Sequence, residues 1–324
     1  MRILLWHVHG SWTTSFVHGG HTYLLPTLPE GGPWGRGRCG RDWPDTVEEV
    51  PADRLAQSEV DVVVLQRPEE RALAEKWLGR RPGADVPAVY VEHNTPRGDV
   101  PNTRHPLAER PDIPLVHVTH VNRLLWDSGR APATVIEHGI VDPGYRYTGE
   151  LARAAVVTNE PVRRWRVTGT DLLPAFAAAA PLDVFGMGLE GLGERVGLGP
   201  ERLTPVGDLG QEKLHTELAR RRVYVHTTRW TSLGLSLLEA MHLGMPVVAL
   251  ATTEAPAAVP ADAGVVSANV DVLVDATKEL ITDPALAAEK GKRARVFALD
   301  NFALSTFLRS WDELLTRMYE DEGG

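Results

Sequence analysis

Residues 231–250, TSLGLSLLEAMHLGMPVVAL, give the clearest indication of the fold because they place a turn, a helix and a buried strand in direct succession. Gly234 marks the turn, the apolar pattern over 236–243 predicts a helix, and the unbroken run 247–250 predicts a strand covered on both faces. Glu239 lies inside the apolar helix, where an unpaired carboxylate would be costly. Either the protein or a ligand must therefore supply its partner.

The same alternation of apolar runs and helical patterns continues through both halves of the chain. Strands are predicted at 2–8, 61–66, 88–92, 115–119, 134–137, 154–158, 182–186, 203–206, 223–227, 247–250 and 264–267. Helices are predicted at 69–78, 122–128, 169–180, 211–221, 236–243 and 270–282, and over most of the chain after residue 283. Such alternation is typical of βαβ units with parallel sheets. We therefore expect an α/β protein with two Rossmann-like, doubly wound domains facing a central cleft.

Two segments interrupt this pattern. Residues 141–150, VDPGYRYTGE, are expected to link the domains, and residues 29–44, which are rich in glycine and proline, to form a long mobile loop. We assign residues 1–145 to an N-terminal domain and residues 146–300 to a C-terminal domain. Residues 301–324 are expected to form a helix that packs back towards the first domain.

The composition restricts the class of protein. With 324 residues, of which 43% are hydrophobic and 24% charged, the chain has enough core for two globular domains. A net charge of −9 without a basic stripe argues against a nucleic-acid partner. Because the sequence has no long apolar run and one cysteine, Cys39, we expect no transmembrane segment and a cytoplasmic location. The oligomeric state is left open.

Histidines lie at or just after the carboxyl ends of several predicted strands. They are His7, His9, His93, His120, His138 and His226. Because ligands of open α/β sheets bind at the carboxyl ends of the strands, this distribution predicts a polar ligand site. Acidic residues do not cluster with the His7-x-His9 pair, so no metal site is expected.

The predicted helix that begins near Ser236 is suited to an anion, because first-turn amides lack partners and the helix dipole is positive there. Phosphate is the natural occupant of such a position. Glu239, one turn further on, is placed to accept hydrogen bonds from a vicinal diol such as that of ribose. The two features together indicate a nucleotide.

Residues 231–248 resemble the sugar-donor segment of family 4 glycosyltransferases of the GT-B fold. The residues in register with the family pattern are GL at 234–235, EAM at 239–241 and GMPV at 244–247. Gly19 and Gly20 resemble the glycine loop that follows the first strand in the family, and His93 resembles its strand-end histidine. The segment VIEHGIVD at 135–142 resembles the family's VIPNGVD segment before the interdomain hinge. The resemblance extends over essentially the whole chain.

The resemblance implies a retaining, metal-independent hexosyl- or glycosyltransferase that needs no cofactor besides its donor substrate. The C-terminal domain would bind a nucleotide diphosphate sugar, and the N-terminal domain would bind the acceptor, a small molecule or a glycan. The binding residues so implied are Glu239 for the ribose, Gly234 and Leu235 for the phosphates, Gly207 and Asp208 for the base, and Gly19 and Gly20 in the glycine loop.

The catalytic residues implied by the resemblance are His93, Arg163 and Arg166, with Arg164 as a further ligand of the diphosphate. His93 would position the donor sugar and stabilise an oxocarbenium-like transition state. The arginines would neutralise the departing diphosphate, where negative charge develops. The leaving phosphate itself would help to deprotonate the acceptor in a front-side attack.

The sequence departs from the family where Thr231 replaces the first of two glutamates. In the family that carboxylate binds hydroxyls of the donor sugar. Ser232 or residues 252–254 are candidates to compensate, and a weakened enzyme is another reading. We favour an unusual donor sugar, and we keep Thr231 and Ser232 among the donor-binding residues.

The loop at 29–44 carries aromatic and basic side chains. They are Trp34, Trp43, Arg36, Arg38 and Arg41. Tryptophan stacks on sugar faces, and arginine binds phosphate or carboxylate. Two interpretations stay open, a lid over the acceptor and a solvated connector.

Other functions compete with sugar transfer. Residues 186–191, GMGLEG, form a G-x-G-x-x-G pattern after a predicted strand, and with Asp208 beyond it this is the pattern of an NAD-dependent oxidoreductase. The residues that follow, GLGERVGLGP, lack the long helix which that pattern requires. A non-catalytic sugar-nucleotide-binding module of the same fold is a second alternative because of Thr231, and an epimerase of that fold is a third.

Overall fold

The computed structural model describes residues 1–321, which form two compact units. Unit 1 comprises Met1–Val141 and the segment that begins at Leu304, and unit 2 is Asp142–Ala303. In the part of the chain that is described, no helix combines the length and the apolarity needed to cross a bilayer.

The elements alternate along the chain in the βαβ manner predicted from the sequence. The strands are β1 (Arg2–Leu5), β2 (Thr22–Thr27), β3 (Val47–Pro51), β4 (Val62–Leu65), β5 (Ala88–Glu92), β6 (Leu115–His117), β7 (Ala133–Val135), β8 (Leu151–Val157), β9 (Leu182–Phe185), β10 (Leu203–Gly207), β11 (Arg221–His226), β12 (Val247–Leu250) and β13 (Gly264–Ser267). The α-helices are α1 (Gly10–Phe16), α2 (Pro68–Leu78), α3 (His120–Leu125), α4 (Pro161–Arg164), α5 (Leu173–Ala179), α6 (Leu192–Val196), α7 (Gln211–Arg220), α8 (Leu235–Leu243), α9 (Ala255–Ala258), α10 (Val270–Thr282), α11 (Pro284–Asn301) and α12 (Leu304–Asp321). Short 3₁₀ helices cover Ala52–Gln57 and Thr170–Leu172.

Unit 1 contains a parallel seven-stranded sheet in the order β3-β2-β1-β4-β5-β6-β7. The chain order reverses between β1 and β4, so the two central strands form the topological switch point of a doubly wound fold. The sequence analysis missed β2 and β3. Pro26 interrupts the apolar run of β2, and β3, VEEVP, is an edge strand whose two glutamates are exposed.

Helix α12 belongs to unit 1 although unit 2 precedes it in the sequence. Its Trp311 is 2% exposed and packs against α1, with ring centroids 5.8 Å from Trp12 and 5.1 Å from Phe16. Nε2 of His21, just before β2, lies 3.3 Å from Oδ1 of Asp312 on α12. An apolar stripe on α12 therefore completes the core of unit 1.

Unit 2 contains a parallel six-stranded sheet in the order β10-β9-β8-β11-β12-β13. Here the chain order reverses between β8 and β11. Strand β12 is buried along its whole length, as the unbroken apolar run predicts, and α8 is buried from Leu237 to Leu243. Burial on nearly all sides explains why α8 carries so few polar residues.

The segment 142–150 runs along unit 2 without regular secondary structure. The backbone N–H groups of Arg146 and Tyr147 both donate to Leu243 O, at 3.1 Å each, at the end of α8. Gly244, with a φ of +87°, ends that helix, and the ring of Tyr145 packs against it. The two units as described meet in sequence at Val141 and Asp142.

Candidate functional site

The carboxyl ends of β8 and β11 define the candidate site of unit 2. These strands are neighbours at the switch point of the sheet, where loops on the two sides diverge and leave room for a ligand. The loop after β8 leads into α4, and the loop after β11 leads into α8. The residues predicted to bind the sugar donor are concentrated on these two loops and on α8.

Helix α8 begins at the switch point without a side-chain cap. Gly234 is its N-cap residue and has no side chain to bind the first-turn amides. A Cβ atom on Gly234 would lie 2.5 Å from Cε1 of His226, so the buried imidazole ring requires glycine here. Burial lowers the pKa of His226 to about 4, which keeps the ring neutral. Leu235 begins a helix whose amides and positive dipole end suit a phosphate.

Glu239 lies on the second turn of α8 and is 4% exposed. Its Oε2 is 3.7 Å from Nε2 of His215 on α7, which is beyond hydrogen-bonding distance. Nε2 of His215 is buried and makes no hydrogen bond within residues 1–321. The sequence analysis missed His215, because an isolated histidine on an amphipathic helix gives no signal of its neighbour on another helix.

Tyr224 lies beside the same helix turn. Its hydroxyl is 2.9 Å from Ser236 Oγ on α8, and its pKa is raised by burial first and by the Glu239 carboxylate second. The Tyr224 phenol, the His215 imidazole and the apolar residues of α8 thus lie close to the carboxylate.

The three arginines predicted to bind the diphosphate lie on or just after α4. Arg163 is exposed and forms an ion pair with Glu160, and Arg166 is exposed and donates to Asp171 Oδ2 at 2.9 Å. Arg164 is more buried than either of them. Two of the three predicted cations are therefore held at the surface by carboxylates of their own loop.

Arg229, on the loop after β11, is a further cation that the sequence analysis missed. Its Nη1 donates to Arg166 O at 3.0 Å, and its Nη2 donates to Asp171 Oδ2 at 2.9 Å. These bonds join the loop after β11 to the segment that follows α4. The sequence did offer a signal for Arg229, because it lies two residues before Thr231, where the segment that resembles the family begins.

Thr231 and Ser232 lie on the loop after β11, next to the loop after β12. Thr252 Oγ1 donates to Thr228 O at 2.9 Å, and Glu254 N–H donates to Ser232 O at 3.4 Å. Glu254 is 5% exposed. A buried carboxylate thus stands beside the position where Thr231 replaces a glutamate.

Strained backbone is concentrated on the loops of unit 2. Glu160, Trp165 and Thr253 have φ values of +53°, +42° and +49°, in the left-handed region that side chains other than glycine rarely adopt. Thr253 is the least expected of the three residues in this region, because its branched Cβ crowds the backbone there. Such strain persists where the surrounding structure holds a functional loop in place.

Gly207 and Asp208 lie at the carboxyl end of β10, at one margin of the sheet. Gly207 has a φ of +98° and therefore needs to be glycine, while Asp208 is exposed. Gly207 O accepts from Gly186 N–H at 3.0 Å. Both residues share the sheet edge with the loops after β8 and β11.

The G-x-G-x-x-G segment at 186–191 has a packing role. A Cβ on Gly186 would lie 2.1 Å from Thr158 O, and Met187 N–H donates to Asn159 Oδ1 at 3.0 Å. The glycines bring the loop after β9 against the loop after β8. Helix α6, which follows, has 5 residues, so the long helix that a dinucleotide pyrophosphate requires is missing from this position. The structure therefore argues against the oxidoreductase alternative.

In unit 1, the carboxyl edge of the sheet brings three of the predicted histidines together, His9, His93 and His138. His93 is buried with its ring 4.1 Å from that of His9, and its Nε2 is 3.1 Å from Gln66 Oε1. Because Gln66 Nε2 donates to Trp6 O, its Oε1 accepts, and His93 Nε2 carries the proton. Burial holds the pKa of His93 well below its ordinary value, with His9 and His138 contributing, so the ring is neutral.

The remaining histidines differ. His7 Nδ1 donates to Gly37 O at 3.1 Å and packs against Trp43, whereas His9 packs against His93. The two members of the His7-x-His9 pair therefore have different surroundings. His120 is exposed at the start of α3 and does not join the cluster.

Gly19 and Gly20 do not lie where the sequence analysis placed them. They come after α1 and just before β2, at the amino edge of the sheet, whereas His93 follows the carboxyl end of β5. A Cβ on Gly19 would lie 2.3 Å from the hydroxyl of Tyr23, so this glycine allows a tight packing contact. The residues after β1 lead directly into α1, and the expected glycine loop is absent from that point of the described chain. We therefore leave the pair out of the proposed site.

Comparison with known proteins agrees with this architecture. Residues 198–297 match the family model described as glycosyl transferases group 1, and this segment contains the loop after β11 and all of α8. No match was found among curated protein sequences.

Solved structures of similar fold cover nearly the whole chain. Sucrose-phosphate synthase from Thermosynechococcus elongatus is 15% identical over 99% of this chain and 100% of its own, with a TM-score of 0.71. Anabaena Alr3699/HepE in complex with UDP-glucose is 16% identical over 98% and 100%, with a TM-score of 0.72. AviGT4, a glycosyltransferase involved in Avilamycin A biosynthesis, is 17% identical over 99% and 98%, with a TM-score of 0.63. The chain therefore has the GT-B fold, as the sequence predicts.

Proposed function

We propose, starting from a GT-B fold whose second unit matches the group 1 glycosyltransferase model, that this chain is a retaining glycosyltransferase. It moves a sugar from a nucleotide diphosphate sugar to a hydroxyl of a small molecule or a glycan. The observation that carries the proposal is the pairing of an uncapped helix start at the switch point with a buried carboxylate one turn further along the same helix.

Glu239 and His215 are proposed to bind the ribose. Their side-chain atoms stand 3.7 Å apart, a separation that one hydroxyl bridges by accepting from His215 and donating to Glu239. The second ribose hydroxyl donates to the same carboxylate. Charge-assisted bonds of this kind contribute about 1.5–3 kcal/mol each.

The diphosphate is proposed to bind at Gly234 and Leu235, with Arg164 and Arg229 as cations. Arg163 and Arg166 remain candidates, and each of them, like Arg229, shares its guanidinium with a carboxylate of the described chain. Cations and helix amides beside the leaving diphosphate stabilise the charge that develops as the glycosidic bond breaks. Gly207 and Asp208 are proposed to lie against the base.

The transferred sugar is proposed to meet Thr231, Ser232 and Glu254. Glu254 supplies a buried carboxylate beside Ser232, so it is positioned to take the role of the glutamate that Thr231 replaces. His93 is proposed to contact the sugar as a neutral ring and to stabilise its oxocarbenium-like transition state. The leaving phosphate takes the acceptor proton, and neither a metal ion nor a further cofactor is assigned a step.

A thermal-shift panel of UDP, GDP, ADP, TDP and their sugars tests the proposal. A nucleotide at 100 times its dissociation constant stabilises the protein by about 2.7 kcal/mol. Glu239→Gln should raise the dissociation constant about tenfold or more, because it removes the charge from the ribose hydrogen bonds. Glu239→Ala should abolish most of the shift.

Glu279→Gln serves as the control, since Glu279 is an exposed acid on α10 of the same unit. This variant should keep the full nucleotide shift. An unchanged shift in both Glu239 variants would show that the ribose contact is wrongly assigned.

A sugar-nucleotide-binding module without activity is the second candidate function, and the threonine at position 231 favours it. Product analysis separates the two candidates. Transfer to an acceptor, or hydrolysis of the nucleotide sugar in its absence, supports the enzyme. Tight nucleotide binding with neither reaction supports the binding module.

A further inference from the structure

Three arginines surround the carboxyl ends of β1 and β4 in unit 1. Arg67 comes two residues after β4, and its charge acts on His9. Arg36 and Arg41 come from the loop between β2 and β3, and their charges act on His7. We call these three residues the arginine cluster. They lie at the switch point of the unit 1 sheet, where doubly wound folds bind ligands.

Arg67 is held in a fixed position. Its guanidinium lies 3.9 Å from the ring centroid of Trp34, and its Nε donates to Glu70 Oε1 at 2.6 Å. Its Nη2 is buried and makes no hydrogen bond with any residue from 1 to 321. A buried guanidinium N–H without an acceptor is costly, and an anionic group would satisfy it.

Arg41 lies over the start of α1. A Cβ atom on Gly10 would come within 2.7 Å of Arg41 Nη2 and 3.9 Å of His7 Nε2, so the glycine leaves room for the guanidinium beside the imidazole. The loop is fixed in this arrangement because His7 Nδ1 donates to Gly37 O and Trp43 Nε1 donates to Thr14 Oγ1. The loop is thus packed onto unit 1 at Gly37 and Trp43.

Apart from the Glu70 carboxyl group bound to Arg67, the charged groups that act on His7 and His9 are arginines. Burial lowers the pKa of His7 to about 4, with Arg36 and Arg41 adding to the effect, and burial with Arg67 lowers the pKa of His9 to about 4. The histidines are therefore neutral hydrogen-bonding groups, and the positive charge comes from the arginines. Arg38 from the same loop takes no part, because its backbone and side chain bind Glu49 and backbone carbonyl groups.

We propose that the arginine cluster binds an anionic group, a phosphate or a carboxylate, carried by the acceptor. The assignment of the anion to the acceptor rests on the proposed function, whereas the anion site itself is a property of unit 1. An acceptor held by Arg36, Arg41 and Arg67 is anchored by charge-assisted hydrogen bonds, while the neutral histidines contact its hydroxyls.

Calorimetric titration of the full chain tests the inference with three probes, a hexose 6-phosphate, a hexuronate and the neutral parent hexose. Excess UDP is present to occupy the proposed phosphate site of unit 2. We expect at least one anionic probe to bind about tenfold or more tightly than the neutral hexose, and its binding to weaken as salt rises. The tighter of the two anions identifies the charged group of the acceptor.

Arg36→Met and Arg41→Met should each raise the dissociation constant of the anionic probe about tenfold. Arg67→Met is expected to destabilise unit 1 as well, because it leaves buried Glu70 without that partner, so the first two variants carry the test. The control is Arg81→Met, which removes an exposed arginine paired with Asp85 after α2. This control should bind the probe as the wild type does.

Equal binding of the neutral and anionic probes, no binding of either anion, or unchanged binding in both loop variants would each overturn the inference. Sugar-transfer assays are scored separately. A chain that binds the anions through Arg36 and Arg41 but transfers no sugar contradicts the proposed function and leaves the anion site standing.

Discussion

Several buried ionisable side chains lie near the carboxyl edges of the two sheets, where open α/β sheets bind ligands. Glu239 is one of them, and its Oε2 lies 3.7 Å from Nε2 of His215 on a different helix. The acid was visible in the sequence as a charge in an apolar helix, whereas the histidine was not. Side chains from two helices become neighbours only when the helices pack, so spacing along the chain carries no signal of the pair.

The buried histidines of unit 1 make its stability depend on pH. Burial lowers the pKa of His138 from its ordinary 6.5 to about 3, so the folded chain keeps this ring neutral over a range in which the unfolded chain protonates it. The contribution is fully present above pH 6.5 and is lost as the pH falls below it, by up to roughly 1.4 kcal/mol per pH unit. Urea unfolding at about pH 7.5 and about pH 5.5 measures this slope.

His138→Gln should reduce that loss, because glutamine does not titrate. His120→Gln is the matched control, since His120 is exposed on α3 and should leave the slope unchanged. Identical slopes in wild type and His138→Gln would contradict this assignment of the proton uptake.

The elements that the sequence predicted best are those buried on both sides. Strand β12 and helix α8 agree with the prediction because continuous apolar residues have few alternatives to burial. Strands β2 and β3 were not predicted, because Pro26 interrupts the apolar run of β2 and β3 carries two exposed glutamates. Pairing with neighbouring strands fixes their positions. In the same way, the glycines at 186–191 resembled a nucleotide loop, but in the fold they serve contact between two loops.

The start of α8 depends on a contact that only glycine allows. In Gly234→Ala the new methyl group would lie 2.5 Å from the buried ring of His226, and relieving this overlap should cost about 1–3 kcal/mol. The helix start would shift with it, so nucleotide binding should weaken. Urea unfolding and the nucleotide thermal shift measure the two effects.

Gly210→Ala is the control for this prediction. Gly210 is the N-cap residue of α7, and a Cβ there meets nothing within 4 Å. It should therefore keep both stability and nucleotide binding. If the two alanine variants behaved alike, the contact with His226 would not be what requires glycine at the start of α8.

At the scale of the whole molecule, unit 1 is built from two separated pieces of sequence. Trp311 on α12 fills the core beside Trp12 and Phe16, so Trp311→Ala should destabilise the protein by about 3–5 kcal/mol. Denaturant unfolding followed by circular dichroism measures this loss. Tyr319→Ala on the same helix should have little effect because Tyr319 is 51% exposed. Equal losses in both variants would show that α12 is not part of this core.

The α/β class, the GT-B fold and the turn, helix and strand around Glu239 could be predicted from the amino-acid sequence, because apolar periodicity and local motifs are properties of neighbouring residues. Which side chains share a site depends on the tertiary structure. It places Gly19 and Gly20 at the amino edge of the unit 1 sheet and pairs Arg163 and Arg166 with carboxylates. It also reveals Arg229, His215 and the arginine cluster as candidate binding residues. These relations depend on how parallel strands align and how loops fold over their ends, and such contacts join residues that lie far apart in the chain.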